Sequence, residues 1–126
     1  MIIGTGLDII EIARLAAALE RHGDRFSARV FTPAEQAHAA GLGRGQVSFY
    51  AGRWAAKEAV AKALGCGVGP DCGLRDIEVL PDDRGKPVVA LQASAVRTAA
   101  DRGIARWHLS ITHEQHYAVA QVIAEA

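Results

Sequence analysis

The sequence has no surplus of either charge: Lys and Arg total 14, Asp and Glu total 14, and the formal net charge is zero. That balance excludes a globally basic surface seeking nucleic acid, so any anion site must come from local clustering. Long apolar runs are also missing, and none approaches the roughly 20 residues that a membrane-crossing helix needs. The opening Met1-Ile2-Ile3-Gly4 lacks a basic segment followed by an apolar stretch and a cleavage site, which argues against a signal peptide. These absences predict a cytoplasmic protein.

Cysteine is scarce. Cys66 and Cys72, with five residues between them, are the whole complement. Two such residues do not make a zinc site without further ligands. Nothing else points to an oxidising compartment, so the plain reading is a pair of reduced loop residues. Three signatures are absent as well: the Gly-x-x-x-x-Gly-Lys-Ser/Thr phosphate loop, a Gly-x-Gly-x-x-Gly after a strand, and the Gly-x-Ser-x-Gly elbow. The last gap removes the main support for a Ser-His-Asp hydrolase, although Ser48, Ser110 and His108 are available.

What remains is an ordinary globular balance. Half the residues are apolar and 22% are charged, and a length of 126 residues suits one domain over 1–126 with a single core. Ile2, Ile3 and Leu7 to Ile12 read as a first strand interrupted by Gly4 and Gly6, followed by a helix from Glu11 to Arg21. On that helix Ile12, Leu15, Ala16 and Leu19 share one face, and Arg14, Ala17, Ala18 and Arg21 the other, with Gly23 at its end. Thr32-Pro33-Ala34-Glu35 is a helix start with a capping box, and the glycines at 41, 43 and 45 end that helix. Gln46 to Leu64 is the longest helical stretch, closed by Gly65 as a left-handed cap and followed by a Gly-rich loop to Gly73. Asp76 to Leu80 and Val88 to Leu91 read as strands around a Pro81-to-Gly85 turn. A helix over Ser94 to Arg102 precedes two closing strands, Arg106 to Thr112 and Tyr117 to Ile123. The pattern predicts an α+β domain with a small, mainly antiparallel sheet, a long central helix and flanking helices.

Three places carry chemistry. The long helix bears Arg53, Lys57, Glu58 and Lys62, with Glu58 and Lys62 one turn apart. A surface ion pair explains that spacing. The dense apolar surroundings also allow a carboxylate and an amine forced toward one partly buried spot, where they would serve a divalent ion and a phosphate. Asp8, flanked by Leu7, Ile9 and Ile10, is costly to bury unpaired. It is either a cap for the helix beginning near Glu11 or a hard oxygen ligand. Mg²⁺ uses one or two protein carboxylates and completes its shell with water and phosphate oxygens, so Asp8 with Glu58 would suffice. Alternation over Trp107 to His113 puts Trp107, Leu109 and Ile111 on the core face. His108, Ser110 and Thr112 fall on the other, as a polar ligand wall or an exposed sheet face. His108, His113 and His116 lack a zinc-site spacing.

Taken together, the segments resemble the short bacterial holo-acyl-carrier-protein synthases, a 4′-phosphopantetheinyl transferase family. The resemblance rests on Gly4-Thr5-Gly6-Leu7-Asp8-Ile9-Ile10-Glu11-Ile12-Ala13-Arg14-Leu15, on Phe31-Thr32-Pro33-Ala34-Glu35, and on the stretch Arg53-Trp54-Ala55-Ala56-Lys57-Glu58-Ala59-Val60-Ala61-Lys62-Ala63-Leu64-Gly65. Asp76-Ile77-Glu78-Val79-Leu80, Gly85-Lys86-Pro87 and His108-Leu109-Ser110-Ile111-Thr112-His113 follow in family order, so nearly the whole chain is covered.

The resemblance implies transfer of 4′-phosphopantetheine from coenzyme A to a serine of an apo-acyl carrier protein, releasing adenosine 3′,5′-bisphosphate. It implies Mg²⁺ held by Asp8 and Glu58 against the coenzyme A pyrophosphate, with Lys62 neutralising the same phosphates and Glu58, or a water beside it, taking the serine proton. Arg53 and His108 would sit near the nucleotide 3′-phosphate, Gly65 would close the signature helix beside the phosphates, and Lys86 and Pro87 would line the adenine pocket. Arg14 and Arg21 would meet the acidic recognition helix of the carrier protein. The family's carriers serve fatty acid, polyketide and peptide synthesis. The residue two after Asp8 is Ile10, not a second acid as in the longer two-lobed transferases, which fits the short subtype. That subtype works as a homotrimer with sites shared between neighbouring subunits. Cys66 departs mildly from the family pattern, standing where a small hydroxyl residue is expected. Two other classes stand beside this one: a non-catalytic coenzyme A or nucleotide-binding module, which would not need both Asp8 and Glu58, and an interaction domain whose charges are surface pairs.

Overall fold

The first and last strands of the chain are neighbours in space. In the computed structural model, which describes residues 1–126, β1 (Ile2–Glu11) pairs antiparallel with β5 (Tyr117–Glu125). β5 pairs in turn with β4 (Arg106–His113), so the sheet order is β1-β5-β4. The strands β2 (Ile77–Pro81) and β3 (Pro87–Leu91) form a separate antiparallel hairpin. The expected α+β architecture is present, with its strands divided between two sheets. The hairpin is closed locally by its own turn. There Asp82 Oδ1 accepts from the backbone N–H groups of Arg84 at 2.8 Å and Lys86 at 2.9 Å, an Asx-type device.

The helices are α1 (Ile12–His22), α2 (Asp24–Val30), α3 (Pro33–Ala40), α4 (Gln46–Leu64) and α5 (Ser94–Asp101). α4 has the predicted bounds. It lies across the inner face of the three-stranded sheet and is buried on several sides, with Ala55, Ala56, Ala59, Val60, Ala61 and Leu64 removed from solvent. Gly65 ends it at φ 80°, and its N–H donates to Lys62 O, as a left-handed cap requires. α2 was not anticipated. It starts directly after Gly23 and is only seven residues long, too short for a periodic signal to separate it from α1. Its Phe26 ring packs edge-on against Phe31 and Trp54.

The capping box of α3 is formed as expected, and Glu35 does more than cap. Its Oε1 accepts from Thr32 N–H at 2.9 Å and from Lys57 Nζ at 2.7 Å, while Oε2 accepts from Val79 N–H at 2.7 Å. Lys57 also donates to Leu74 O at 2.9 Å and Ile77 O at 2.6 Å, so all three of its protons have acceptors. Both side chains are fully buried. Burial pulls the Lys57 pKa down and the Glu35 carboxylate holds it up. This pair welds α3, α4 and β2 together, and it turns Lys57 away from any substrate.

The outer face of the three-stranded sheet carries Ile3, Leu7 and Ile9 from β1, and Leu7 and Ile9 are 61% and 62% exposed. Leu7 and Ile9 therefore lie on the outer face, while Ile10 packs inward on the same side as Asp8.

Candidate active site

Close approach of β1 to α4 builds the site. Gly4, Gly6, Asp8 and Ile10 share the inward face of β1, because side chains alternate along a strand. A Cβ on Gly6 would stand 1.8 Å from Ala59 O, and one on Gly4 would stand 2.2 Å from Ala63 O. Only glycine permits this approach. It brings Asp8, two residues beyond Gly6, alongside the α4 face that carries Glu58 and Lys62.

Asp8 and Glu58 line one cleft of about 310 Å³ together with Arg14, Ala18 and Trp54. Lys62 Nζ lies 3.1 Å from Asp8 Oδ1 and 2.8 Å from Leu7 O. The helix-surface pair Glu58–Lys62 is not formed; the lysine answers the other acid. The capping reading of Asp8 also fails, since Glu11 occupies the α1 N-cap position and no side chain caps that helix. Burial raises the Glu58 pKa above the ordinary carboxylate value, and the nearby Asp8 charge raises it further. Trp54 and Lys62 pull it partly back. Two acids thus share a cleft with a single ammonium paired to one of them.

That donor set fits a hard divalent cation. No group of three or more His, Cys, Asp or Glu side chains placed to hold a metal occurs in the chain. A zinc cage or a calcium site built from protein oxygens alone is therefore not available, whereas Mg²⁺ needs only one or two carboxylates when phosphate and water complete its shell. Asp8 and Glu58 are the residues that would hold it.

The other expected residues are not gathered there. Arg53 projects from another side of α4, where its Nε donates to Val79 O at 3.1 Å and its guanidinium lies 4.2 Å from the Phe49 ring centroid. His108 Nε2 is 2.9 Å from Glu125 Oε1, and Arg106 Nε is 3.2 Å from the same oxygen. The register shows that His108 is on the opposite face of the sheet from Asp8. Asp8 aligns with Ala120 and Ile111 on the α4 side, while His108 aligns with Ile123 and Thr5. Lys86 and Pro87 sit at the β2–β3 turn, the former exposed. Within one chain the two acids and Lys62 converge, and Arg53, Lys86, Pro87 and His108 stay apart from them.

Arg14 is exposed at the rim of the acid cleft, and Arg21 is exposed two turns along α1. Neither makes an ion pair. A larger cleft of about 490 Å³, lined by His22, Arg25, Phe26 and Arg29 among others, contains no carboxylate that could bind a metal ion. Cys66 and Cys72 are free thiols, and burial pushes the Cys72 pKa up to about 12.

Sequence reasoning missed three contributors. Gly4 and Gly6 read as interruptions of a strand, although two glycines spaced by two, opposite Ala59 and Ala63 spaced by four, signal a strand lying on a helix backbone. Trp54 read as apolar filling.

Residues 4–122 match the family model described as the 4′-phosphopantetheinyl transferase superfamily. The chain is 44% identical over 126 residues to holo-[acyl-carrier-protein] synthase of Halalkalibacterium halodurans, covering 99% of this chain and 97% of that one. It is 47% identical over 125 residues to the enzyme of the same description from Edwardsiella ictaluri, with 98% of each covered. The holo-[acyl-carrier-protein] synthase structure from Neisseria meningitidis superposes with a TM-score of 0.93 at 34% identity over all of both chains. The Bacillus anthracis enzyme, solved in complex with CoA (3′,5′-ADP), superposes with a TM-score of 0.85 at 42% identity, covering 100% of this chain and 98% of that one.

Proposed function

The chain belongs to the 4′-phosphopantetheinyl transferase superfamily, and from that premise we propose that it is a holo-[acyl-carrier-protein] synthase acting as one domain over residues 1–126. It transfers 4′-phosphopantetheine from coenzyme A to a serine of apo-acyl carrier protein. The serine hydroxyl oxygen attacks the phosphorus that bears pantetheine, the bond from that phosphorus to the bridging oxygen breaks, and adenosine 3′,5′-bisphosphate leaves. The serine proton passes to a base.

The observation that carries this reading is the convergence of Asp8 and Glu58 in one cleft with Lys62 beside them. A module that only bound the nucleotide would not need both acids. Bound Mg²⁺ would neutralise diphosphate charge and fix its orientation, which is most of what this transfer requires. Asp8 and Glu58 would hold the cation, and Lys62 would add a positive charge against the phosphates. Glu58, or a water beside it, accepts the serine proton. Gly65 closes α4 where the Gly-rich loop begins.

Arg53 and His108 serve the nucleotide 3′-phosphate and Lys86 and Pro87 the adenine, but from a neighbouring copy. Two observations support a homotrimer with shared sites. Asp8 and His108 lie on opposite faces of one sheet, and the outer face exposes Leu7 and Ile9, which a subunit contact would cover. Arg14 and Arg21, unpaired and exposed, dock the acidic helix of the carrier. No helix is long and apolar enough to cross a membrane. Use of coenzyme A and a carrier protein supports a cytoplasmic enzyme whose carrier serves fatty acid, polyketide or peptide synthesis.

The test is incubation of the purified protein with apo-acyl carrier protein, coenzyme A and Mg²⁺. The carrier mass rises by one phosphopantetheine arm, and chelating the metal abolishes the gain. A carrier that stays unmodified with every component present overturns the reading.

A further inference from the structure

The Trp54 indole is the polar group that the catalytic reading leaves unexplained. Its Nε1 is buried and meets no hydrogen-bond acceptor, a situation that native structures rarely leave without a reason. The ring lines the cleft of Asp8 and Glu58. It is held there by edge-on packing against Phe26, at 5.3 Å between centroids. Glu58 follows four residues later on α4. Helical side chains lean toward the helix N-terminus, so the Glu58 carboxylate lies over the turn that carries Trp54. An unpaired indole donor and a carboxylate thus line the same cleft one helical turn apart.

We propose that Trp54 is a positioning residue: its indole N–H binds one oxygen of the Glu58 carboxylate when coenzyme A and Mg²⁺ enter, and so turns the other oxygen toward the ligand. The role rests on the transferase reading above. It explains why a donor is kept buried and unpaired in the free protein. A carboxylate that rotates freely spreads its charge over several directions, whereas one held at a single oxygen presents the other in a fixed place. A phenylalanine would fill the same space beside Phe26 and supply no donor.

The chain has two tryptophans, Trp54 and Trp107, so the ¹⁵N-labelled full-length protein gives two indole resonances. Trp54→Phe, or independently Trp107→Phe, assigns them. Adding Mg²⁺ and coenzyme A to the wild-type chain moves the Trp54 proton downfield, and the movement is lost in Glu58→Ala. Trp54→Phe lowers kcat about tenfold, the loss expected for one charge-assisted hydrogen bond. The KM values for coenzyme A and carrier stay within about twofold. An indole resonance that ignores the ligands, or that still moves in Glu58→Ala, overturns the role, as does a Trp54→Phe enzyme with unchanged kcat. If the wild-type chain adds no arm to the carrier, the functional reading itself falls. If it does and Trp54→Phe equals it, only the part given to Trp54 falls.

Discussion

Lys62 Nζ lies 3.1 Å from Asp8 Oδ1, so the lysine one turn beyond Glu58 reaches across to β1 and neutralises the other acid. Two carboxylates and one ammonium meet where a strand and a helix touch. A cation and a diphosphate would complete that charge pattern.

Asp8→Ala lowers the transfer rate at least about a hundredfold, the scale of losing one preorganised charge at a reacting centre. Stability changes by no more than about 1 kcal/mol, because the Lys62 side chain is half exposed and such pairs contribute little. Carrier mass against time and a thermal melt check the two halves. Retained transfer with Mg²⁺ as the only metal sinks the assignment of Asp8 as a ligand.

Arg14→Glu raises the KM for the carrier at least about tenfold, since it replaces attraction to an acidic helix with repulsion. Coenzyme A affinity stays within about twofold, although Arg14 is at the rim of the acid cleft. An unchanged carrier KM removes the docking role.

Lys57→Met leaves Glu35 charged, buried and short of its partner, and destabilises the fold by about 3–5 kcal/mol. The double variant Glu35→Leu, Lys57→Met recovers part of that loss, because no unpaired charge remains. Urea denaturation of the three chains measures the coupling. Equal losses in the single and double variants would mean that the pair is not acting as a unit.

Gly6→Ala forces its Cβ against Ala59 O and costs about 1–3 kcal/mol as an overpacked contact. The strand must move off α4, so transfer activity falls by more than the stability loss accounts for. An active, fully stable Gly6→Ala protein contradicts the close approach.

Glu58→Gln raises the melting temperature at neutral pH in the absence of metal and coenzyme A. The folded-state pKa of Glu58 lies above the unfolded value through burial and Asp8. Its ionised form therefore weakens the fold above the folded pKa, and the effect fades as pH falls below the ordinary carboxylate range. Melting curves of both proteins between about pH 4 and pH 8 should converge at the acid end. A gap that widens toward acid would show the opposite sign.

Most elements were legible in advance because they depend on local chemistry. Thr32, Pro33 and Glu35 form a cap within four residues, and Gly65 ends α4 by a backbone conformation that glycine adopts freely. Alternation placed Leu109 inward and His108 outward correctly. α2 escaped because seven residues beside α1 give no separate period. The buried Lys57–Glu35 pair escaped because a capping glutamate and a helix lysine look like surface residues until β2 covers them.

The sequence alone located every helix and strand except α2, most of them to within a residue or two, together with the residue types able to hold a hard cation and the family to which the chain belongs. Only the tertiary structure decided which of those residues meet. Asp8 faces Glu58 because Gly4 and Gly6 let β1 settle onto the α4 backbone, and His108 turns away because a sheet has two faces. Such contacts depend on how closely two distant backbones approach, and that distance is written in no local stretch of the chain.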